Sequence, residues 1–475
     1  MGFFNNFPYT NFHEMNLDWI LKIVKETAAE QKQTSEELAN FESYVDNRFS
    51  SFINELNIPV EVKETIVKMA ESGELEQIIA GLEGLVSVYK TMSELKASET
   101  VVNGAFVRTC GYFSENDGGD GFYKIDSNSV GGISLNNGLF AHYIPQNNSF
   151  NLKSAGGLDD ANNKGFGAGV FAWEQAEKFF ANGLEIIAPA GQYVFVKPLN
   201  IGNGDSGYKF SSYNGIHVKG FGAAFDGSKP GESTEFVFGQ FDGYALSVNG
   251  RISNVIIENV LFTLNGLVSG VQLKSVQNCK LDSVVISNPK EGGIALAVIG
   301  GSSPTGNYCI NNSFNNVKCT CIKNGTKALF MHGVLSDGGV SVANDTWLTS
   351  FNTCRFEVFG ENSQAGHIRF ADNISFNRCH FANQGGRNTS AGLFLDSTDM
   401  IGGNKYPSGL AFYSCSISNV VELVPTGCSQ GVNYFVGYGV DDGEVIPSYQ
   451  NCPGITTHGV PFNGWGTTGG TVVQG

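Results

Sequence analysis

Apolar and polar positions follow two regimes along this chain. Between residues 13 and 83 the apolar positions recur at helical spacing. Leu17, Ile20, Leu21 and Val24 form one stripe, and Leu38, Phe41, Val45, Phe49, Phe52 and Leu56 continue it at intervals of three and four. The spacing predicts helix, broken at Pro59 and resumed from Val62 to Ile79 with an interruption near Gly73. Little else in the segment could bury the stripe. Packing against copies of itself is therefore expected, with an amphipathic helix docked on its own domain as the alternative.

From about residue 84 the pattern shortens to strand and turn lengths. Gly111, Tyr112 and Phe113 precede the turn cluster NDGGDG at 116–121, and Phe122 to Ile125 reads as a strand. The cluster lacks the Asp/Asn alternation and terminal Glu of a calcium loop, so it reads as a plain turn. A helix fits Val170 to Ala181, with Trp173, Ala176, Phe179 and Phe180 on one face. Residues 184–196 read as strand, turn, strand, and 216–222 as the coil that follows.

Six times thereafter one short motif recurs: an apolar residue, two mostly polar ones, Val or Cys, any residue, and a last apolar one. It begins at Ile257, Leu281, Phe314, Phe351, Phe376 and Phe412, at separations of 24, 33, 37, 25 and 36 residues. A second apolar block follows each of the first five copies at a near-constant offset, so each coil holds at least two strands. The return to the next copy is short after Leu273 and Phe370 and long after Leu296, Phe330 and Leu395. The three long returns therefore leave one corner of a stacked solenoid, where binding surfaces are commonly built.

Composition agrees with a β-rich solenoid, since Gly is abundant (61 residues), Phe common (36) and charged residues only 16%. A formal charge of −16 argues against nucleic acid or an anionic membrane as partner. No stretch reaches the roughly 18 apolar residues of a membrane span. The first residues lack a basic region and a long apolar core, so no signal peptide is expected. Cys354, Cys379 and Cys415 occupy the column that Val260, Val284 and Val317 fill in earlier coils, which predicts reduced, buried thiols. Cys319 and Cys321 have no second pair at ligand spacing; neither metal nor cofactor is expected.

Several stretches resemble phage tail proteins. Residues 11–19 (NFHEMNLDW) are similar to virion-docking segments, and 62–79 to a helix of their stalks. Residues 111–125 resemble the Gly-rich segment before the β-helix of podovirus appendages, and 187–193 (IAPAGQY) the turn that opens many phage β-helices. Together they resemble bacteriophage tailspike or pre-neck appendage proteins of the right-handed parallel β-helix, pectate-lyase-like class. The resemblance implies a homotrimer that binds host surface polysaccharide or teichoic acid, often cleaves it, and sits on the virion. Residues 441–475 hold no obvious large trimerisation domain, which departs from that pattern.

Glycan hydrolysis needs paired carboxylates on the outer face of such a rod. Glu258 and Asp282 hold the same motif position in coils 24 residues apart, so strand spacing puts them about 5 Å apart and pointing outward. Paired acids at that spacing are what general acid–base chemistry uses. A solvated polar ladder continued by Asn315, Asn352 and Asn377 is the alternative. The long returns offer Asp337 and Asp345 as further acids. Tyr308, Trp347, Asp396, Asp399 and Tyr406 are candidate glycan-binding residues there, where ring faces pack on sugar C–H faces; ordinary turn chemistry is the alternative. Glu357 and Glu361, on a different turn, form a weaker third set. His217, His367 and His380 lie in strands without a clustered partner in the sequence.

The expected organisation is a mainly β chain. A helical docking stalk (1–83) precedes a β-rich connector with the helix leading into the solenoid (84–183). The parallel β-helix follows (184–440), then a Gly-rich C-terminal segment (441–475). A depolymerase, an adhesin without turnover and a purely structural tail component all remain compatible with this reading.

Overall fold

The computed structural model describes residues 86–158, 167–202, 215–223, 233–250, 252–300, 309–332, 346–369, 371–384, 390–396, 410–413, 415–418, 420–423, 433–436 and 455–458. The chain divides into two compact units, Met1–Ser87 and Val88–Gly475. The helical stripes of 13–83 lie outside the described residues.

The second unit opens with an antiparallel sheet in which Gly121–Asp126 lies between Phe106–Thr109 and Phe140–Ile144. The NDGGDG cluster ahead of its middle strand is a turn organised by Asp117. That carboxylate accepts from the amides of Tyr112, Phe113, Ser114 and Gly119 at 2.9–3.3 Å, and Lys153 Nζ lies 3.1 Å away.

The chain then winds. In one coil Ile256–Glu258, Leu261–Thr263 and Ser269–Lys274 pair in parallel with Lys280–Asp282, Val285–Ser287 and Ile294–Ile299 of the next. Among the described residues this winding builds parallel sheets of 11, 8 and 8 strands, which together form a parallel β-helix. The first sheet takes its end strands from Ser149–Asn151 and Ile455–His458.

The six-residue motif is two strands with a bend between them. Its third residue is left-handed in five copies: Asn259 (φ 58°), Ser283 (52°), Asn316 (51°), Thr353 (56°) and Arg378 (52°). The bend turns the chain from the first sheet to the second and drops the fourth residue, Val or Cys, into the core. The first and sixth residues line the interior. Phe314, Phe351, Phe376 and Phe412 stack coil upon coil with ring centroids 4.5, 4.8 and 4.7 Å apart. That equals the strand spacing, so each ring rests on the one before it. Removing each ring from water contributes about 1.5–3 kcal/mol.

The thiols of Cys354, Cys379 and Cys415 donate to the carbonyls of Phe314, Phe351 and Phe376 at 3.3–3.5 Å. In the third sheet Gly366 stands in register with Leu329 and Leu393. A Cβ on it would lie 2.8 Å from the Phe381 ring, which fills the space a leucine takes elsewhere.

The helix Ala168–Ala176 packs Trp173 near Phe180, Phe195 and Phe236 at 5.8–6.5 Å, covering apolar surface at the start of the solenoid. In the chain, 301–308 and 333–345 run from strands of the third sheet to Cys309–Ile310 and Thr346–Trp347 of a small parallel sheet, and 397–409 runs from Ala391–Asp396 to Ala411–Tyr413 of the first sheet. Among the described residues no helix is long and apolar enough to cross a membrane.

Candidate functional site

Glu258 and Asp282 are register partners on neighbouring strands of the first sheet. Their backbones are therefore one strand spacing apart, about 4.8 Å. Both side chains point outward and are partly exposed, 24% and 30%. Each faces a nitrogen group of its own. Lys280 Nζ lies 2.7 Å from Asp282 Oδ2, and the Ser283 hydroxyl donates to Oδ1 at 3.1 Å. His217 Nε2 lies 3.1 Å from Glu258 Oε1, at ion-pair distance but outside hydrogen-bond alignment. The other ring nitrogen, Nδ1, is 3.6 Å from Glu185 Oε1. Glu185 and His217 are register partners, whereas Glu258 pairs with Lys219, so the imidazole reaches Glu258 diagonally across the strands, with Asp282 on the fourth.

Glu185, His217 and Lys280 are site residues that the sequence pattern did not single out. Their strands carry the signal only after the coils are stacked, because Glu185 and His217 belong to coils without the six-residue motif.

Further along the same column the outward residues are Asn315, Asn352 and Asn377. They bond to one another and end the charged part of the face. On the second sheet Glu235 accepts from Gln192 Nε2 and Thr263 Oγ1, both at 2.6 Å. Glu357 stands within the strand Arg355–Val358 rather than on a turn, 6% exposed. It accepts from Arg355 Nε at 2.6 Å, with Lys318 Nζ at 3.9 Å. Both carboxylates are absorbed by neighbours in the sheet, a structural use of charge.

At the corner, Thr346–Trp347 lies between Cys309–Ile310 and Ala371–Asp372 in a small parallel sheet. Trp347 is 37% exposed, and Leu348 after it is left-handed (φ 47°) and 49% exposed. Asp396 ends the strand Ala391–Asp396 of the third sheet. Asp337, Asp345, Tyr308, Asp399 and Tyr406 lie outside the described residues; Asp345 immediately precedes Thr346 in the chain. Among the described residues no group of three or more His, Cys, Asp or Glu is placed to hold a metal ion.

No family model matches this chain, and no curated protein matches it. Solved structures of similar fold include the tailspike protein gp49 from Acinetobacter baumannii bacteriophage Fri1, a capsular polysaccharide depolymerase. Its identity is 11% and its TM-score 0.47, over 78% of this chain and 66% of that one. ORF18 of Geobacillus virus E2 is 11% identical with a TM-score of 0.48, over 82% and 72%. Pantoea stewartii WceF, a glycan biofilm modifying enzyme with a bacteriophage tailspike-like parallel β-helix fold, is 12% identical with a TM-score of 0.42, over 82% and 47%. This chain thus spans about two thirds of the first and about half of the third. At such identities the likeness is one of fold, and the named activities are those of the other proteins.

Proposed function

We propose that this chain is a phage virion appendage of the tailspike type, which attaches to a glycan of the host surface. In this reading residues 1–83 dock on tail or neck proteins, the working form is a homotrimer, and the β-helix presents the glycan-binding corner. The observation that carries it is that corner. Three long inserts each follow a strand of the third sheet in the chain, and the exposed Trp347 ends the short strand that comes after the second of them. A rod of stacked coils holds such an edge in fixed geometry, which favours binding an extended polymer.

Hydrolysis of the bound glycan would fall to Glu258 and Asp282. Carboxylates one strand apart match the short separation used in retention. One would attack the anomeric carbon while the other protonates the leaving oxygen; the second would then take a proton from the water that releases the sugar. Attachment without turnover is the second reading. It is favoured by the neighbours His217 and Lys280, since carboxylates so engaged also serve as a plain polar ladder on the surface.

Incubating purified host envelope glycan with the full chain and with Glu258→Ala/Asp282→Ala tests this. Release of reducing ends or phosphate by the wild type, lost in the double variant with binding intact, assigns hydrolysis to the pair. Binding without release leaves an adhesin. A chain that neither binds nor cleaves host glycan overturns the attachment reading.

A further inference from the structure

Ahead of eight successive strands of the first sheet, the residue two places before the strand is left-handed. The column runs Asn147 (φ 51°), Gly183 (68°), Gly215 (81°), Asn254 (60°), Asn278 (52°), Asn311 (57°), Leu348 (47°) and Asn373 (52°). The residues just before the last five, Ser253, Gln277, Ile310, Trp347 and Asp372, are register partners in turn, so these positions stack coil on coil. Seven of the eight are Gly or Asn, the residue types that take this conformation most readily. Asn also bonds along the column, where Asn311 Nδ2 donates to Asn278 Oδ1 at 2.6 Å.

Leu348 is the exception. A leucine here crowds its Cβ against the backbone, and it cannot carry the amide ladder from Asn311 towards Asn373. It is not drawn there by the core either, since the residue stays 49% exposed. Backbone preference and the ladder both favour Asn at this place, yet the chain carries Leu. A side chain held against local preference on the surface points to a contact outside the fold.

The surroundings say how large that contact is. Leu348 follows Trp347, which is 37% exposed and pairs in register with the partly exposed Ile310. Polar residues close the spot on both sides: Gln277 and Asp372 in the column of Trp347, Asn311 and Asn373 in that of Leu348. A protein partner needs about 800 Å² on each side, far more than three side chains supply. A single sugar ring is of the right size.

An indole takes the C–H face of a sugar, and a leucine beside it offers apolar surface without a hydrogen-bonding group. We infer that Leu348 sets specificity, and that the sugar seated on Trp347 bears a methyl group, at C6 of a deoxyhexose or in an N-acetyl substituent. A hydroxyl in the same seat would lose its water without gaining a partner, which is the source of the discrimination. The inference rests on the glycan-attachment reading and deepens it by naming the class of sugar.

The test measures affinity for purified host envelope glycan and the thermal midpoint of the full chain as wild type, Leu348→Asn and Leu348→Ala. Leu348→Asn should bind about tenfold more weakly. Its midpoint should nevertheless rise by about 1–3 °C, because the strain is relieved and the ladder runs through. Leu348→Ala keeps the strain, so it should bind weakly without that gain. Competition with matched sugars then identifies the methyl group: L-fucose against L-galactose, L-rhamnose against L-mannose, and N-acetylglucosamine against glucose. At least one methyl-bearing sugar should displace the glycan better than its match, and Leu348→Asn should abolish the difference. Success of a deoxy sugar or of the acetamido sugar separates the two sources.

Unchanged affinity in Leu348→Asn, or no advantage for any methyl-bearing sugar, overturns the inference and leaves the attachment reading standing. A midpoint that falls in Leu348→Asn also overturns it, because the leucine would then be a packing residue. A wild type that binds no host glycan removes the attachment reading and this inference together.

Discussion

The side-chain amide of Asn352 donates to Oδ1 of Asn315 one coil earlier at 3.0 Å, and Asn377 repeats the bond to Asn352 at 3.0 Å. Asn352 is thus both donor and acceptor in a ladder on the outer face of the first sheet. Asn352→Leu removes both bonds and leaves the two neighbours short of a partner, at a cost of about 1–3 kcal/mol. Asn377→Leu breaks one rung and should cost less. Denaturant midpoints of the two variants, measured side by side, check the order.

The stacked phenylalanines should be less forgiving. Phe376 lies between Phe351 and Phe412 in a core without exposure. Phe376→Ala therefore opens a cavity costing about 3–5 kcal/mol. Cys379→Val should cost less than about 1.5 kcal/mol, because Val260, Val284 and Val317 already fill that column. A lowered thermal midpoint for the first and a near-native one for the second is the expected pair of results.

Thiol accessibility gives an independent check of the core. Cys279, Cys309, Cys319, Cys321, Cys354, Cys379 and Cys415 are buried, whereas Cys110 is partly exposed. Burial pushes the Cys279 and Cys309 thiols up to about 12. Maleimide labelling of the native chain, read residue by residue, should mark Cys110 and spare those seven until the chain is unfolded, Cys428 and Cys452 lying outside the described residues.

Asp117 predicts an acid-dependent stability difference. Burial acts to raise its carboxyl, but the amides of Tyr112, Phe113 and Gly119 together with Lys153 outweigh this and lower it from 3.8 to about 2. A carboxyl held lower in the folded than in the unfolded chain stabilises above the unfolded value, and the contribution is lost as pH falls through the folded one. After allowance for solvent screening it amounts to about 1–2 kcal/mol. Asp117→Asn should lower the thermal midpoint at pH 7, with a gap to wild type that narrows only below about pH 4.

The stacking was legible in the sequence because Ile257, Leu281, Phe314, Phe351, Phe376 and Phe412 repeat an inward column, and equal motif position becomes equal register. The same logic placed Glu258 opposite Asp282, where the structure puts it. The bend inside the motif was not legible. A left-handed residue is usually signalled by Gly, and Ser283, Thr353 and Arg378 adopt that conformation without one. The partners of the acids were hidden for another reason. His217 meets Glu185 and Glu258 only through stacking of three coils, and its own coil carries no copy of the motif.

The central claim is that the corner beside Trp347 holds host glycan. Its most direct test is the equilibrium affinity of the full chain for purified host envelope glycan, comparing wild type with Trp347→Ala and, as a control on the second sheet, Thr320→Ala. Loss of one ring–sugar contact predicts affinity about three- to tenfold weaker for Trp347→Ala and unchanged for the control. Equal affinity for all three proteins would contradict the assignment of the corner as the binding edge.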